Sequence, residues 1–218
     1  MLEKYKTVYE GGEGEMVEKK SRFIATVRPV STEEEALAFI EEMKKKYWDA
    51  RHNCYAYSIG EHREFTRCSD DGEPSGTAGR PMLDVILGED IYNVAVVVTR
   101  YFGGVLLGTG GLVRAYSGAV QAGLGESTVI EKHHGISLAL TADYTAIGKL
   151  QYIAAENQLP VLDTEYTDKV IMHLLVPNDQ IGRIQKVITE ATSGRIKMEK
   201  EKELYFADVE GKIKVFDH

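Results

Sequence analysis

The chain has 218 residues, of which 43% are hydrophobic and 28% charged, and its formal net charge is −8. A chain of this length forms one large domain or two smaller ones, with the composition of an ordinary globular protein. The acidic balance argues against a broad, nonspecific coat of nucleic acid, and no apolar stretch approaches the roughly 20 residues that span a bilayer.

The first half of the chain alternates short strands with amphipathic helices, which predicts an α+β domain. Ser31 and Glu34 have the spacing of a capping box, which predicts the start of a helix. Residues 92–102 are apolar on both faces, which is typical of a central strand. In chain order the predicted elements are a hairpin (5–9 and 14–18, around Gly11 and Gly12), a strand ended by Pro29 (21–30), the capped helix, a second hairpin (53–59 and 63–68), a long polar loop (69–81), a short helix, the central strand, a helix (112–124) and a strand (127–133).

The pattern changes near Gly135, and we expect two domains, 1–134 and 135–218. The second domain has the element order βαββαβ, which predicts a ferredoxin-like fold. Its predicted elements are a strand (136–143), a helix (144–157) capped by Asp143, strands at 160–163 and 170–176, a helix that opens at Pro177 and ends at Gly194, and a final strand or pair of strands.

Six arginines fall between residues 51 and 114, a segment that contains no lysine. The planar guanidinium group can bind phosphate or carboxylate with two hydrogen bonds, whereas lysine is a solvated point charge. The segment therefore predicts an anion-binding surface. The alternative is that these arginines neutralise nearby acids. The arginines are Arg51, Arg63, Arg67, Arg80, Arg100 and Arg114.

A run of glycines lies between the central strand and the following helix. Backbone N–H groups at such a turn can bind an anion, and Arg100 and Arg114 flank the run. The pattern lacks the GK[ST] of a phosphate-binding Walker loop and the spacing of a dinucleotide fingerprint. The alternative is that the glycines serve only turn geometry and close packing. The candidate residues in the run are Gly108, Thr109, Gly110 and Gly111.

The polar loop before the short helix offers a second candidate anion site. Ser75 and Thr77 could bind a phosphate, although capping of the helix explains them more simply. Asp70, Asp71 and Glu73 could act as an acid or hold a cation such as Mg²⁺, although their spacing does not match a calcium loop. We predict no bound metal.

The two cysteines indicate free thiols in a reducing cytoplasm rather than a disulfide framework. His52, Cys54 and Cys68 lack a fourth ligand for zinc at convincing spacing. Cys54 could act as a nucleophile with His52 as base, but the alternative is that Cys54 is a small core residue.

Several ordered motifs between residues 18 and 125 resemble those of the YigZ/Impact family. They are KSRF (20–23), RHNCYA (51–56), DDGEPSGTAGRP (70–81), RYFGG (100–104) and GTGGLVRAY (108–116).

The resemblance implies a first domain like the second domain of ribosomal protein S-five, as in domain IV of elongation factor G. It implies a second, ferredoxin-like domain, similar to domain V of that factor. Eukaryotic relatives regulate translation under amino-acid stress. Their N-terminal RWD domain is not evident in this sequence, so functions that depend on that domain are not expected.

These observations leave two functional hypotheses. In the first, the chain is a cytoplasmic, non-enzymatic protein that binds RNA or the ribosome and regulates translation, without a cofactor or a membrane. In the second, it is an enzyme that acts on a phosphorylated or nucleotide small molecule held by the glycine-rich segments. A protein partner within the translation apparatus is a further alternative, and the sequence does not fix the oligomeric state.

Overall fold

A computed structural model of the chain describes residues 1–216. The fold divides into two compact units, Tyr5–Glu131 and a second that joins Met1–Lys4 to the residues from Lys132 onward. Both units combine helices with strands, as the sequence predicts. No helix in the described chain is long and apolar enough to cross a membrane.

The first unit is built on a five-stranded antiparallel sheet in the order β2-β3-β7-β4-β5. The predicted central strand, β7, is buried in the middle of this sheet. The elements are β1 (Lys4–Glu10), β2 (Glu13–Glu18), β3 (Ser21–Pro29), α1 (Glu33–Lys46), β4 (His52–Ile59), β5 (Phe65–Ser69), α2 (Gly79–Gly88), β6 (Ile91–Tyr92), β7 (Val94–Tyr101) and α3 (Gly108–Gly125).

Side chains of β7 alternate between two cores, because successive residues of a strand point to opposite faces. Ala95 and Val97 pack with α1, through Phe39 and Ile40. Val94, Val96 and Val98 pack with α2 and α3 on the other face. The sheet is therefore covered by helices on both sides, and its ends are where loops reach solvent.

The predicted hairpin around Gly11 and Gly12 is wrong, because β1 and β2 belong to different sheets. β2 pairs with β3, whereas β1 pairs in parallel with β6. A tight hairpin turn needs positive φ values, and neither glycine has one. A Cβ atom on Gly11 would lie 2.0 Å from the carbonyl oxygen of Val27, so the glycine serves close packing against β3.

Two boundaries in this unit differ from their predictions. The capping box lies one residue later than predicted. Thr32 Oγ1 accepts a hydrogen bond from the Glu35 N–H, and the Glu35 carboxylate accepts one from the Ser31 N–H. Helix α3 begins at Gly108, so the glycine run forms the first helical turn instead of a preceding loop.

The second unit has the predicted ferredoxin-like topology. Its strands follow the order β9-β10-β8-β11-β12, with antiparallel neighbours throughout. The elements are β8 (Thr128–Ala142), α4 (Ile147–Glu156), β9 (Val161–Tyr166), β10 (Val170–Pro177), α5 (Ile181–Thr192), β11 (Lys197–Val209) and β12 (Lys212–Phe216), and single turns of 3₁₀ helix precede α4 and α5.

Helices α4 and α5 pack on one face of this sheet through Leu150, Ile153, Ile184 and Ile188. The two strands predicted on either side of Gly135 are one continuous strand, β8. Position 135 requires a glycine because a Cβ atom there would lie 2.9 Å from the ring of Phe206. This glycine accommodates packing and does not mark a break.

Candidate functional site

Three connecting segments meet at one end of the five-stranded sheet, which we call the loop end. They are the β2–β3 turn (Lys19 and Lys20), the α1–β4 segment (47–51) and the β7–α3 segment (102–107). The sheet register aligns Arg22 with Tyr101 and His52 with Arg100, so β3 and β4 both begin beside the end of β7. Residues far apart in sequence therefore share one surface.

The β2–β3 turn presents two lysines in an unusual backbone conformation. Lys19 and Lys20 have φ values of 44° and 69°, the left-handed conformation of a two-residue hairpin turn, where asparagine and glycine are preferred. Such a conformation costs a non-glycine residue roughly 1–2 kcal/mol. A Cβ atom on Gly103 would lie 2.0 Å from the carbonyl carbon of Lys20, which shows how closely the β7–α3 segment packs on this turn.

A buried hydrogen-bonded network lies beneath the loop end. Arg100 Nη1 donates to Glu73 Oε1 over 2.6 Å, and the two side chains are 8% and 3% exposed. The hydroxyl of Tyr116 donates to the same oxygen over 2.8 Å. Part of the guanidinium group of Arg100, a predicted anion ligand, is therefore already bound to an internal carboxylate.

Cys54 lies in the same network. Its Sγ is 3.3 Å from the Tyr116 hydroxyl and donates to the carbonyl of Asp70 over 2.9 Å. Burial raises the pKa of the Cys54 thiol far above its ordinary value, whereas a nucleophilic cysteine needs a lowered one. These contacts favour the structural interpretation of Cys54. Cys68 is exposed and unpaired.

The acids of the polar loop bind the protein's own groups. Asp70 Oδ1 accepts from the N–H groups of Ala78 and Gly79, and its Oδ2 accepts from that of Gly76. Asp71 Oδ2 accepts from the Asn53 N–H over 2.7 Å. Within residues 1–216, no three His, Cys, Asp or Glu side chains form a group that could hold a metal ion.

Asp70 caps the start of α2, so its replacement should destabilise the first unit. Burial opposes ionisation, but the three backbone N–H groups outweigh it and hold the pKa below the ordinary 3.8. We expect Asp70→Ala to lower the free energy of unfolding by about 1–2 kcal/mol at neutral pH, measured by urea denaturation.

A control for this prediction is Asp70→Asn, which keeps one acceptor and should lose less. Because the folded pKa is depressed, the stabilisation is complete above the unfolded pKa and is lost as pH falls through the folded one. The difference between wild type and Asp70→Ala should therefore shrink below pH 3.8. A difference that stays constant down to pH 2 would contradict this role.

The other predicted anion ligands take separate positions. Thr77 is buried, and its hydroxyl donates to the carbonyl of Pro74. Ser75 is exposed at the turn. Arg80 pairs with Asp84 along α2 over 2.7 Å. Thr77 and Arg80 therefore already have partners within the protein, and Ser75 is the member of this group that faces solvent.

The first turn of α3 is exposed at Gly108, Thr109 and Gly110, whereas Gly111 is buried. Arg114 lies over this turn, since a Cβ atom on Gly110 would be 3.6 Å from Arg114 Nη1. Of the predicted ligands, Arg114 and the start of α3 thus share one location.

A pocket of about 280 Å³ opens at the loop end. It brings together the predicted ligands Arg51 and Arg100, and its walls are His52, Asp49, Tyr101, Phe102 and Leu106. Nε of Arg100 is buried with no hydrogen-bond partner among the described residues. Arg100 therefore keeps unused donors beside this pocket although one side of its guanidinium binds Glu73.

Exposed cations at the loop end have no partners within the described part of the protein. In the described chain, Lys19, Lys20, Arg51 and Arg114 are exposed and form no ion pair or hydrogen bond through their side chains. The acids of the flanking segments bind internal groups instead, as in Asp70, Asp71 and Glu73. Glu18, which precedes the two lysines, and Asp49, in the α1–β4 segment, offset part of this charge.

Exposed apolar side chains lie among these cations. Trp48 is 82% exposed, Leu106 84% and Phe102 51%. Trp48, Asp49, Lys19 and Lys20 are not among the candidate ligands that the sequence predicts. The signal for Trp48 was available, because the only tryptophan of the chain directly follows a helix and precedes Arg51.

Two family descriptions match the chain. Residues 19–124 match the Impact N-terminal domain, and residues 140–195 match a domain of unknown function, DUF1949. The IMPACT family member YvyE of Bacillus subtilis is 44% identical over 195 residues, which cover 89% of this chain and 90% of that protein. The IMPACT family member YigZ of Escherichia coli is 32% identical over 83% of this chain and 89% of that protein.

Eukaryotic relatives match over a smaller part of their length. Mouse Protein IMPACT is 37% identical over 98 residues, which cover 30% of that protein. Among solved structures, one described as a hypothetical protein is 29% identical with a TM-score of 0.59, covering 93% of this chain and 99% of that one. The two-domain translational regulator Yih1 is 28% identical over 55% of this chain and 48% of that one, with a TM-score of 0.37, too low to relate the folds.

Proposed function

Because this chain belongs to the IMPACT family, we propose that it is a regulator of translation that binds RNA, in the ribosome or free, through the loop end. Family membership carries the expected role in translation. The observation that supports RNA as the ligand is the set of unpaired cations at the loop end of a protein whose net charge is −8.

Electrostatics explains how an acidic protein could bind a polyanion at this place. Charges separated by more than about 10 Å are largely screened at 0.1 M salt, so the local balance decides. Lys19, Lys20, Arg51 and Arg114 face solvent, whereas Asp70, Asp71 and Glu73 are held by internal donors. The loop end therefore presents four cations without partners among residues 1–216, beside the carboxylates of Glu18 and Asp49.

The exposed aromatic groups favour unpaired bases over a duplex. Single-stranded RNA is bound by stacking of its bases on aromatic side chains and by cations along its backbone. Trp48 and Phe102 offer such surfaces, and Arg51 and Arg114 offer the charges.

Co-sedimentation with purified ribosomes at low salt tests the proposal. We expect Arg51→Ala/Arg114→Ala to lower the affinity about tenfold, since each lost phosphate contact weakens binding. The control is Lys186→Ala/Lys212→Ala, which removes the same charge from exposed positions of the second unit. Arg100→Ala is a poorer test, because it leaves Glu73 buried without its partner.

Equal losses in both double variants would mean that net charge, and not the loop end, governs binding. Wild-type protein that fails to sediment with ribosomes even at low salt would contradict the proposal. That result would favour the alternative function, in which a phosphorylated small molecule binds in the 280 Å³ pocket.

A further inference from the structure

We propose that the loop-end pocket binds one unpaired guanine of the RNA and that Asp49 identifies it. This inference rests on the proposed function and gives it a base specificity. It starts from one feature that RNA-backbone binding does not explain, an acidic side chain in the wall of a pocket otherwise lined by two arginines, ring side chains and Leu106.

Asp49 keeps most of its hydrogen-bonding capacity unused. Its Oδ1 accepts from the Tyr101 hydroxyl over 2.8 Å, and it makes no other side-chain hydrogen bond to the described residues. A carboxylate offers about four lone-pair sites. Acceptor sites are therefore left on both oxygens. A carboxylate repels a phosphate, so Asp49 suits a part of the ligand that carries hydrogen-bond donors.

Among the RNA bases, guanine best matches a carboxylate. Its Watson–Crick edge carries two adjacent donors, N1–H and the 2-amino group, which can bond both oxygens at once. Adenine and cytosine each offer one donor on that edge, an exocyclic amino group, and uracil offers one, its N3–H, so only guanine presents two adjacent donors. Unpaired bases are commonly read on this edge while stacked on aromatic side chains.

The other walls of the pocket suit the rest of a nucleotide. His52, Tyr101 and Phe102 provide planar groups for stacking, and a volume of about 280 Å³ suits a single base. Arg51 has its whole guanidinium available, and Arg100 has donors beyond the one bound to Glu73. These arginines would take the phosphate attached to the bound nucleoside, since guanidinium groups favour phosphate oxygens.

Fluorescence anisotropy with labelled nonamers tests the inference. Each nonamer is oligouridine with guanosine, inosine, adenosine or uridine at its centre. We expect the guanosine nonamer to bind about tenfold or more tightly than the uridine one, in the range of a good two-bond base contact. Inosine, which lacks the 2-amino group, should lose most of that gain.

Two variants separate base recognition from a structural role of Asp49. Asp49→Asn should abolish the preference for guanosine while the uridine nonamer binds at least as well as to wild type. Tyr101→Phe removes the internal partner of Asp49 and should keep the preference. Thermal melting of each variant checks that it is folded.

Equal affinity for all nonamers would overturn the guanine inference and leave the proposed function standing. Ribosome binding without nonamer binding would do the same. A preference that survives in Asp49→Asn would also overturn it. If the wild-type protein bound neither ribosomes nor any of the nonamers, the proposed function would be contradicted as well.

Discussion

Replacing Glu73 with alanine should lower the free energy of unfolding by about 3–5 kcal/mol, the usual result of removing one partner of a buried ion pair. The substitution leaves the Arg100 guanidinium, whose side chain is 8% exposed, without its carboxylate. It also removes the acceptor of the Tyr116 hydroxyl. The ring of Tyr116 is buried, and its centroid lies 5.1 Å from that of Phe23. Urea denaturation followed by circular dichroism measures the loss.

Two further variants show whether the loss comes from the stranded charge. Tyr116→Phe removes the hydrogen bond to Glu73 and the weaker contact with Cys54 Sγ, and should cost only about 1 kcal/mol. Glu73→Leu/Arg100→Met removes both charges and should recover much of the lost stability, because apolar replacements of a buried pair are often neutral. A Glu73→Ala variant as stable as wild type would contradict the assigned network.

Replacing Gly103 with alanine should lower the free energy of unfolding by about 2–3 kcal/mol, in the range for overpacking a close contact. The added Cβ atom would lie 2.0 Å from the Lys20 carbonyl carbon and 2.4 Å from the Ser21 nitrogen. Backbone cannot move aside as a flexible side chain can, so the β2–β3 turn must shift. The Ser21 hydroxyl would also lose its hydrogen bond from the Gly103 N–H.

The matched control is Gly125→Ala at the end of α3. A Cβ atom there meets open space, and alanine is the better helix former. Gly125→Ala should therefore be neutral or slightly stabilising. If Gly103→Ala were equally neutral, the β7–α3 segment would not pack on the β2–β3 turn as described.

The sequence correctly predicted those helices and strands that are determined by the pattern of apolar and polar residues within the element itself. The doubly apolar run before Arg100 became the central strand β7, and the order of elements after Gly135 gave the ferredoxin-like topology. The family resemblance followed from motifs within residues 18–125 and is confirmed by the comparisons.

The wrong hairpin and the wrong break between strands have a common physical cause, since each depended on a contact distant in sequence. Gly11 is fixed by the Val27 carbonyl, and Gly135 by the ring of Phe206. The sequence alone does not distinguish a glycine required by close packing from a glycine required by a turn. The same ambiguity applies to the glycine run, which predicts a loop but forms the first turn of α3.

The site was predictable in part. Arg51, Arg100 and Arg114 come from the predicted arginine segment, and the structure places Arg51 and Arg100 in one pocket. Nothing local showed that Glu73 would bind Arg100 across 27 residues of sequence. Lys19 and Lys20 were missed because only the pairing of β3 with β7 brings their turn to the loop end.

Binding to ribosomes as a function of salt concentration tests most directly whether the loop end binds RNA phosphates. The logarithm of the affinity should fall linearly with the logarithm of the salt concentration, with a contribution of about 0.7 to the slope per phosphate contact on a single strand. We predict that Arg51→Ala/Arg114→Ala lowers this slope by about 1.4, whereas Lys186→Ala/Lys212→Ala leaves it unchanged. Binding of RNA phosphates by the loop end would be contradicted by a wild-type affinity that does not depend on salt. It would also be contradicted if both double variants had the same slope as wild type.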